Sequence, residues 1–261
     1  MKVLRRIMAS FLVAFCFVGL LTGCSNKTTQ NEKIQVTDML GTTIEINKNP
    51  KKVACISRTT YDLLVAYGLG DKIDGAYSGT LNNDWVSLIY QNSKNHYVYS
   101  YENSYELFMQ RGVDLVFAPE KYIADDLNSH NIPALCVSLY GNPTFDEYVT
   151  FLSKLVTQIW DDAQIKTKAE AWENKVTKAI NDIKTELDKH DIEKKTVFYI
   201  RGDKDKGVGY TDSKSSFTEY AYRMMGFNFA GATLSTTKPS AEEIVKINPD
   251  IFVAGGIYQN K

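Results

Sequence analysis

SYELFMQRGVDLVFA (residues 104–118) and SAEEIVKINPDIFVA (residues 240–254) are two stretches built on one plan. Ser104 and Ser240, Glu106 and Glu242, Asp114 and Asp250, and Ala118 and Ala254 fall at the same offsets. Each stretch reads as a Ser-capped helix with an acid in its first turn, where a carboxylate is favoured by the helix dipole, followed by a buried strand opened by Asp. A second pair lies upstream. VACISR (53–58) precedes a helix stopped at Gly68; VFYIR (197–201) precedes, after a longer loop, SFTEYAYRMM (216–225) and Gly226. The same parts recur in the same order, so the chain reads as two related α/β halves.

Working outward, residues 34–46 alternate apolar and polar across Leu40-Gly41, which predicts a hairpin. Short apolar strands are expected at 52–57, 73–77, 113–118 and 134–139, with helices at 60–67, 104–112 and 122–129. Short strands alternating with short helices argue for a mainly parallel sheet flanked by helices. From 144 to 190 the chain has neither Pro nor Gly, and the run 162–189 is charged, Ala-rich and helical in period. Ala163, Ala171, Trp172, Val176, Ala179, Ile180, Ile183 and Leu187 mark its apolar face. A helix of about 28 residues would extend roughly 40 Å, a length suited to joining two lobes. The expected divisions are an N-terminal α/β lobe (34–143), a helical connector (144–195) and a C-terminal α/β lobe (196–261).

Composition bounds the function. Of 261 residues, 44% are hydrophobic, and 30 Lys+Arg against 31 Asp+Glu leave a formal charge of -1. A disordered chain and a general nucleic-acid coat are both disfavoured. His96, His130 and His190 are isolated, with no second His or Cys at ligand spacing, so no metal site is expected. The lone Gly207-Val208-Gly209 lacks the rest of a dinucleotide fingerprint, and no nucleophile–base signature is present. Catalytic residues and a cofactor are therefore not expected.

The chain opens with Lys2, Arg5 and Arg6, then an apolar run from 7 to 21 that is short for a membrane span. It closes on Leu21-Thr22-Gly23-Cys24, which resembles the lipobox of bacterial lipoproteins. The resemblance implies a signal peptide at 1–23, acylation of Cys24, and a tether at 24–33 holding the protein on the outer face of the cell membrane. Cys16 would leave with the signal. Cys55 and Cys136 lie in short apolar runs and read as buried small hydrophobes; a disulfide between them is left open.

Taken together, the lipobox, Val36-Thr37-Asp38 with Gly41 and Ile44, the strand at 52–56, the turn Tyr67-Gly68-Leu69-Gly70-Asp71-Lys72-Ile73, the two Glu–x7–Asp units and the long helix resemble one family. These are the substrate-binding lipoproteins of bacterial ABC importers for ferric siderophores, haem and cobalamin. The resemblance implies two α/β lobes bridged by one rigid helix, a ligand in the cleft between them, and no enzymatic activity. It also implies docking of Glu106 and Glu242 on permease subunits. The plainer role of both acids is to favour their helix starts, worth under about 1 kcal/mol each. Val113 stands where the family usually has Pro, and the short second lobe leads to the expectation that the sequence is a fragment.

Ligands of parallel α/β sheets sit beyond the carboxyl ends of the strands. Arg58 follows the first strand of one lobe, with Thr59 beside it, and Arg201 ends the matching strand of the other. Two guanidinium groups facing one cleft suit an anionic ligand; surface salt bridges are the competing reading. Tyr77, Trp85 and Tyr210 are the aromatic candidates for a planar complex. The expected protein is a monomeric, lipid-anchored receptor for an Fe(III) chelate, a ferric siderophore foremost, that serves an ABC permease and does not bind nucleic acid. Haem or cobalamin as the ligand, and a surface-anchored α/β enzyme, are the alternatives.

Overall fold

The computed structural model describes residues 32–138, 144–189, 195–202, 209–214 and 216–255. Cys24, the signal peptide, nearly all of the tether and His190 lie outside the described residues. Strands β1 (Lys33–Thr37) and β2 (Thr43–Asn47) form the expected antiparallel hairpin. Asp38 holds its turn: Oδ1 accepts from the Leu40 and Thr42 amides at 2.9 and 2.8 Å, and Oδ2 accepts from the Cys136 amide at 3.2 Å.

The first large sheet contains β3 (Val53–Cys55), β4 (Ile73–Tyr77), β5 (Tyr97–Tyr99), β6 (Leu115–Ala118) and β7 (Ala134–Cys136). Its order is β5-β4-β3-β6-β7 and every neighbouring pair is parallel. Successive side chains on a strand point to opposite faces, and here both faces are covered. Val53, Cys55, Leu115 and Phe117 pack with helices α1 (Arg58–Ala66), α6 (Phe145–Ile159) and α7 (Ala163–Leu187). Ala54, Ile56, Val116 and Ala118 pack with α4 (Tyr105–Arg111) and α5 (Lys121–Ser129). Two short helices, α2 (Ser78–Leu81) and α3 (Asp84–Ile89), lie between β4 and β5. Cys55 and Cys136 are buried, free thiols that point into different cores, so no disulfide joins them.

The expected connector holds two helices, the second of them the long one. A capping box at Thr144 and Glu147 opens α6. Trp160, fully buried, ends it and donates from Nε1 to the Pro50 carbonyl at 3.0 Å. Asp162 then caps α7 by accepting from the Gln164 and Ile165 amides. The 25 residues of α7 extend about 37 Å at roughly 1.5 Å per residue. Its buried positions are Ile165, Ala169, Val176 and Ile180, a register that leaves the expected Ala163, Ala171, Ala179 and Ile183 exposed. No described helix is long and apolar enough to cross a membrane.

In the second lobe, β8 (Thr196–Gly202), β10 (Asn228–Phe229) and β11 (Ile251–Gly255) run parallel in the order β10-β8-β11, and β9 (Gly209–Tyr210) pairs antiparallel with β8. Helices α8 (Phe217–Met224) and α9 (Ala241–Ile247) accompany them. This arrangement repeats β4-β3-β6. Val53 pairs with Ile73 and Leu115, as Val197 pairs with Phe229 and Ile251. Asp114 Oδ2 accepts from the Lys52 amide at 2.9 Å, and Asp250 Oδ2 from the Thr196 amide at 2.7 Å. Both repeat helices end in the left-handed region, at Gly112 (φ 66°) and Asn248 (φ 48°), the two residue types that tolerate it best.

Candidate functional site

A cavity of about 810 Å³ lies between residues of the two lobes, within the roughly 300–1,000 Å³ of small-molecule sites. The parallel strands explain its position, because β3, β6, β7 and β8 all deliver their carboxyl ends to it. Ser57, Arg58 and Thr59 follow β3, Pro119 follows β6, Ser138 lies just past β7, and Arg201 belongs to β8. Arg58, Thr59, Arg201 and Tyr210, predicted separately from sequence, line this one cavity.

The first-lobe wall is firmly set. Thr60 Oγ1 bonds Ser57 Oγ at 2.9 Å and the Tyr148 hydroxyl at 2.7 Å, while Cys55 Sγ donates to the Ser57 carbonyl at 3.2 Å. Burial pushes the Cys55 thiol well above its ordinary range, so it stays a neutral donor. Arg58 is exposed at the first position of α1. One turn on, burial raises the Asp62 carboxyl and the nearby Arg58 charge partly offsets that rise.

On the second-lobe wall, Arg201 donates from a terminal nitrogen to Asp212 Oδ1 at 3.0 Å, and Thr218 Oγ1 donates to Asp212 Oδ2. Lys238 sits 4.8 Å from the Tyr210 ring centroid, a cation–π contact. Thr211 is 1% exposed, and its hydroxyl has no hydrogen-bond partner among the described residues although it lines the cavity. An orphaned buried hydroxyl costs about 1–3 kcal/mol, and a polar ligand atom would remove that cost. Arg58, Arg201 and Lys214 oppose the single acid Asp212 in the lining. The cavity is cationic and suits an anion.

Two expected residues lie elsewhere. Tyr77 stands behind the wall, its ring stacked on Tyr101 at 4.2 Å and 4°; Tyr101 lines the cavity in its place. Trp85 is 69% exposed on α3, beside the exposed Leu88 and Ile89, and is not in the lining. Trp85 stands on a helix between β4 and β5 rather than at the carboxyl end of a strand. Ser57, Pro119 and Ser138 were missed, though the rule that ligands lie past parallel strands could have found them. Thr211 and Asp212 follow a two-residue strand with no sequence pattern to announce it.

The connector and the second lobe also touch beside the cavity. The Tyr220 hydroxyl of α8 donates to Asp146 Oδ1 of α6 at 3.0 Å, and Phe217 packs edge-on to Phe145. Tyr220 is pushed up to about 12, by burial first and by Asp146 second. Glu106 and Glu242 are exposed in the first turns of α4 and α9, away from the cavity. Glu106 is lowered chiefly by a hydrogen bond from Ser104, and Glu242 by its own backbone amide and then by Ser240. Among the described residues no group of three His, Cys, Asp or Glu could hold a metal ion.

No protein-family model matches the sequence, and no curated protein matches it. Solved structures do match. Helicobacter pylori CeuE, solved with Ni(II) bound, is 16% identical with a TM-score of 0.70, over 87% of this chain and 73% of that one. An ABC-type Fe3+-hydroxamate transport system protein from Saccharomonospora viridis is 13% identical, with a TM-score of 0.67 over 87% and 81%. The petrobactin-binding protein YclQ of Bacillus subtilis is 19% identical, with a TM-score of 0.66 over 85% and 77%. Paired α/β sheets, a long intervening helix and a cavity at the strand ends are thus the periplasmic-binding-protein-like fold, and that is the fold of this chain.

Proposed function

We propose that this protein is an extracytoplasmic solute-binding protein that captures an anionic iron chelate, a ferric siderophore foremost, in the inter-lobe cavity and delivers it to an ABC permease. The observation that carries the reading is the presence of Arg58 and Arg201, one from each lobe, on one cavity with a cationic lining. The similar folds of an Fe3+-hydroxamate transport protein and a petrobactin-binding protein support it. In this reading Arg58, Thr59, Arg201, Tyr210 and Thr211 hold the ligand, Tyr101 offers a flat face backed by Tyr77, and the exposed Glu106 and Glu242 meet basic residues of the permease. Acylated Cys24 anchors the protein and residues 24–33 tether it.

The test is quenching of intrinsic Tyr and Trp fluorescence by ferric siderophores, haem and cobalamin. Saturable quenching by an anionic ferric chelate is expected, and Arg58→Ala with Arg201→Ala should weaken it at least tenfold, about 1.4 kcal/mol. Flat traces with all three ligand classes would overturn the reading. Glu106→Arg with Glu242→Arg should block uptake while leaving binding intact.

A further inference from the structure

We infer that a second pocket, at the amino ends of the first sheet's strands, is an anion site that takes a phosphate group, either free or as the head group of an anionic lipid. It lies at the end of the sheet opposite the cleft and goes beyond the proposed capture of a chelate. Lys51 and Lys52 precede β3, Asp74 stands at the start of β4, His96 precedes β5, and Arg111 ends α4. Together they help enclose about 410 Å³.

The charges in this pocket are arranged unequally. Lys51, Lys52, Lys72 and Arg111 face two acids, Asp71 and Asp74. Asp74 is already saturated. Its Oδ1 takes Lys52 Nζ at 3.1 Å and an Arg111 terminal nitrogen at 2.8 Å, and its Oδ2 takes Arg111 Nε and the Tyr99 hydroxyl, both at 2.6 Å. Asp71 Oδ1 accepts from the Tyr90 hydroxyl at 2.7 Å and from Asn92 at 3.5 Å. The acids therefore position the pocket's walls, and the lining keeps two more positive than negative charges. Lys51 and Lys72 have no ion pair among the described residues; Lys72 acts only at longer range, on Asp162.

This donor set selects the ligand class. Acids engaged with Arg, Lys and Tyr are poor ligands for a metal cation, and the surplus of ammonium groups disfavours a neutral sugar. Several cations arriving from separate elements match the distributed oxygens of a phosphate, for which Lys serves as a point charge. The chain also enters the lobe at this end. Lys33 pairs with Asn47, and Lys51 is four residues further on, at most about 14 Å of extended backbone. Both sources present the same phosphate chemistry, and the experiment separates them.

The test uses the full chain in detergent, carrying Arg58→Ala and Arg201→Ala so that the cleft does not compete. Inorganic phosphate is titrated by calorimetry, and co-sedimentation with phosphatidylglycerol vesicles is compared with phosphatidylcholine vesicles. Saturable phosphate binding, weakened at least tenfold by Lys51→Ala with Lys72→Ala and restored by Arg at both positions, supports the site for free phosphate. A phosphatidylglycerol preference lost in the same Ala variant supports the head-group source. Unchanged thermal melting should accompany either result, since neither lysine has an ion pair among the described residues. If neither phosphate binding nor vesicle preference differs between Lys and Ala forms, the proposal is overturned.

Discussion

The helix–strand unit of α4 and β6 and the unit of α9 and β11 share a residue pattern and a backbone course but not a packing environment. In the first, every residue of β6 is buried and Phe108 is 1% exposed. In the second, burial alternates along β11 and Phe252 is 55% exposed. The first strand is covered by α4 and α5 on one face and by α1, α6 and α7 on the other. The face of β11 that carries Phe252 and Ala254 has no comparable layer among the described residues. One local plan can thus be a hub of the core or a lightly covered surface, depending on what is laid over it.

The strongest way to break this contrast is a pair of truncations. Phe108→Ala should cost about 3–5 kcal/mol and Phe252→Ala under about 1 kcal/mol, read by denaturant unfolding. Similar losses would mean the two units are equally packed. The second prediction concerns a carboxylate that only the first lobe has. Asp74 lies between Ile73 and Gly75 at the register shift against Val53 and Ala54, and the two-residue pairing of β10 with β8 contains no counterpart. Burial opposes ionisation of Asp74, whose side chain is 5% exposed, but hydrogen bonds from Arg111, Tyr99 and Lys52 outweigh it and hold the carboxyl at about 2. A depressed acid contributes stability that is full above its unfolded value near 4 and is lost as pH falls through 2, here about 2 kcal/mol. Melting followed by the buried Trp160 between pH 5 and 2 should show that loss, and Asp74→Asn should remove that part of the pH dependence.

A smaller difference lies at the caps. Ser240 and Glu243 form a capping box, whereas the Ser104 side chain does not cap α4. Ser240→Ala should therefore cost about 1 kcal/mol, and Ser104→Ala less in the same melting assay. The hydroxyl of Ser104 is instead the leading cause of the lowered Glu106 carboxyl. Ser104→Ala should move the Glu106 titration upward toward the ordinary carboxylate range, as read by NMR, with Glu242 unmoved.

The fold was legible in the sequence where local chemistry repeats. Ser104 and Ser240 announced helix starts, Gly112 a helix end, and Asp114 and Asp250 the strands that follow. The continuous apolar runs of β3 and β6 announced a sheet covered on both faces. Arg58 and Arg201 could be placed at the cleft because the ends of parallel strands are fixed by topology. The outward placement of Trp85, and the stacking that leaves Tyr101 rather than Tyr77 at the cavity, depend on packing that has no local period.

By itself, then, the sequence determined the duplicated α/β halves, the long helix and the strand ends at which a ligand site would form, because hydrophobic period, caps and turn residues act over a few neighbouring positions. Only the tertiary structure decided that two arginines 143 residues apart line one hollow, that the Thr211 hydroxyl has no partner among the described residues, and that four cations line the pocket of the saturated Asp74. Those outcomes depend on which surfaces meet after the chain has closed, and burial, rather than residue type, sets what each group then does.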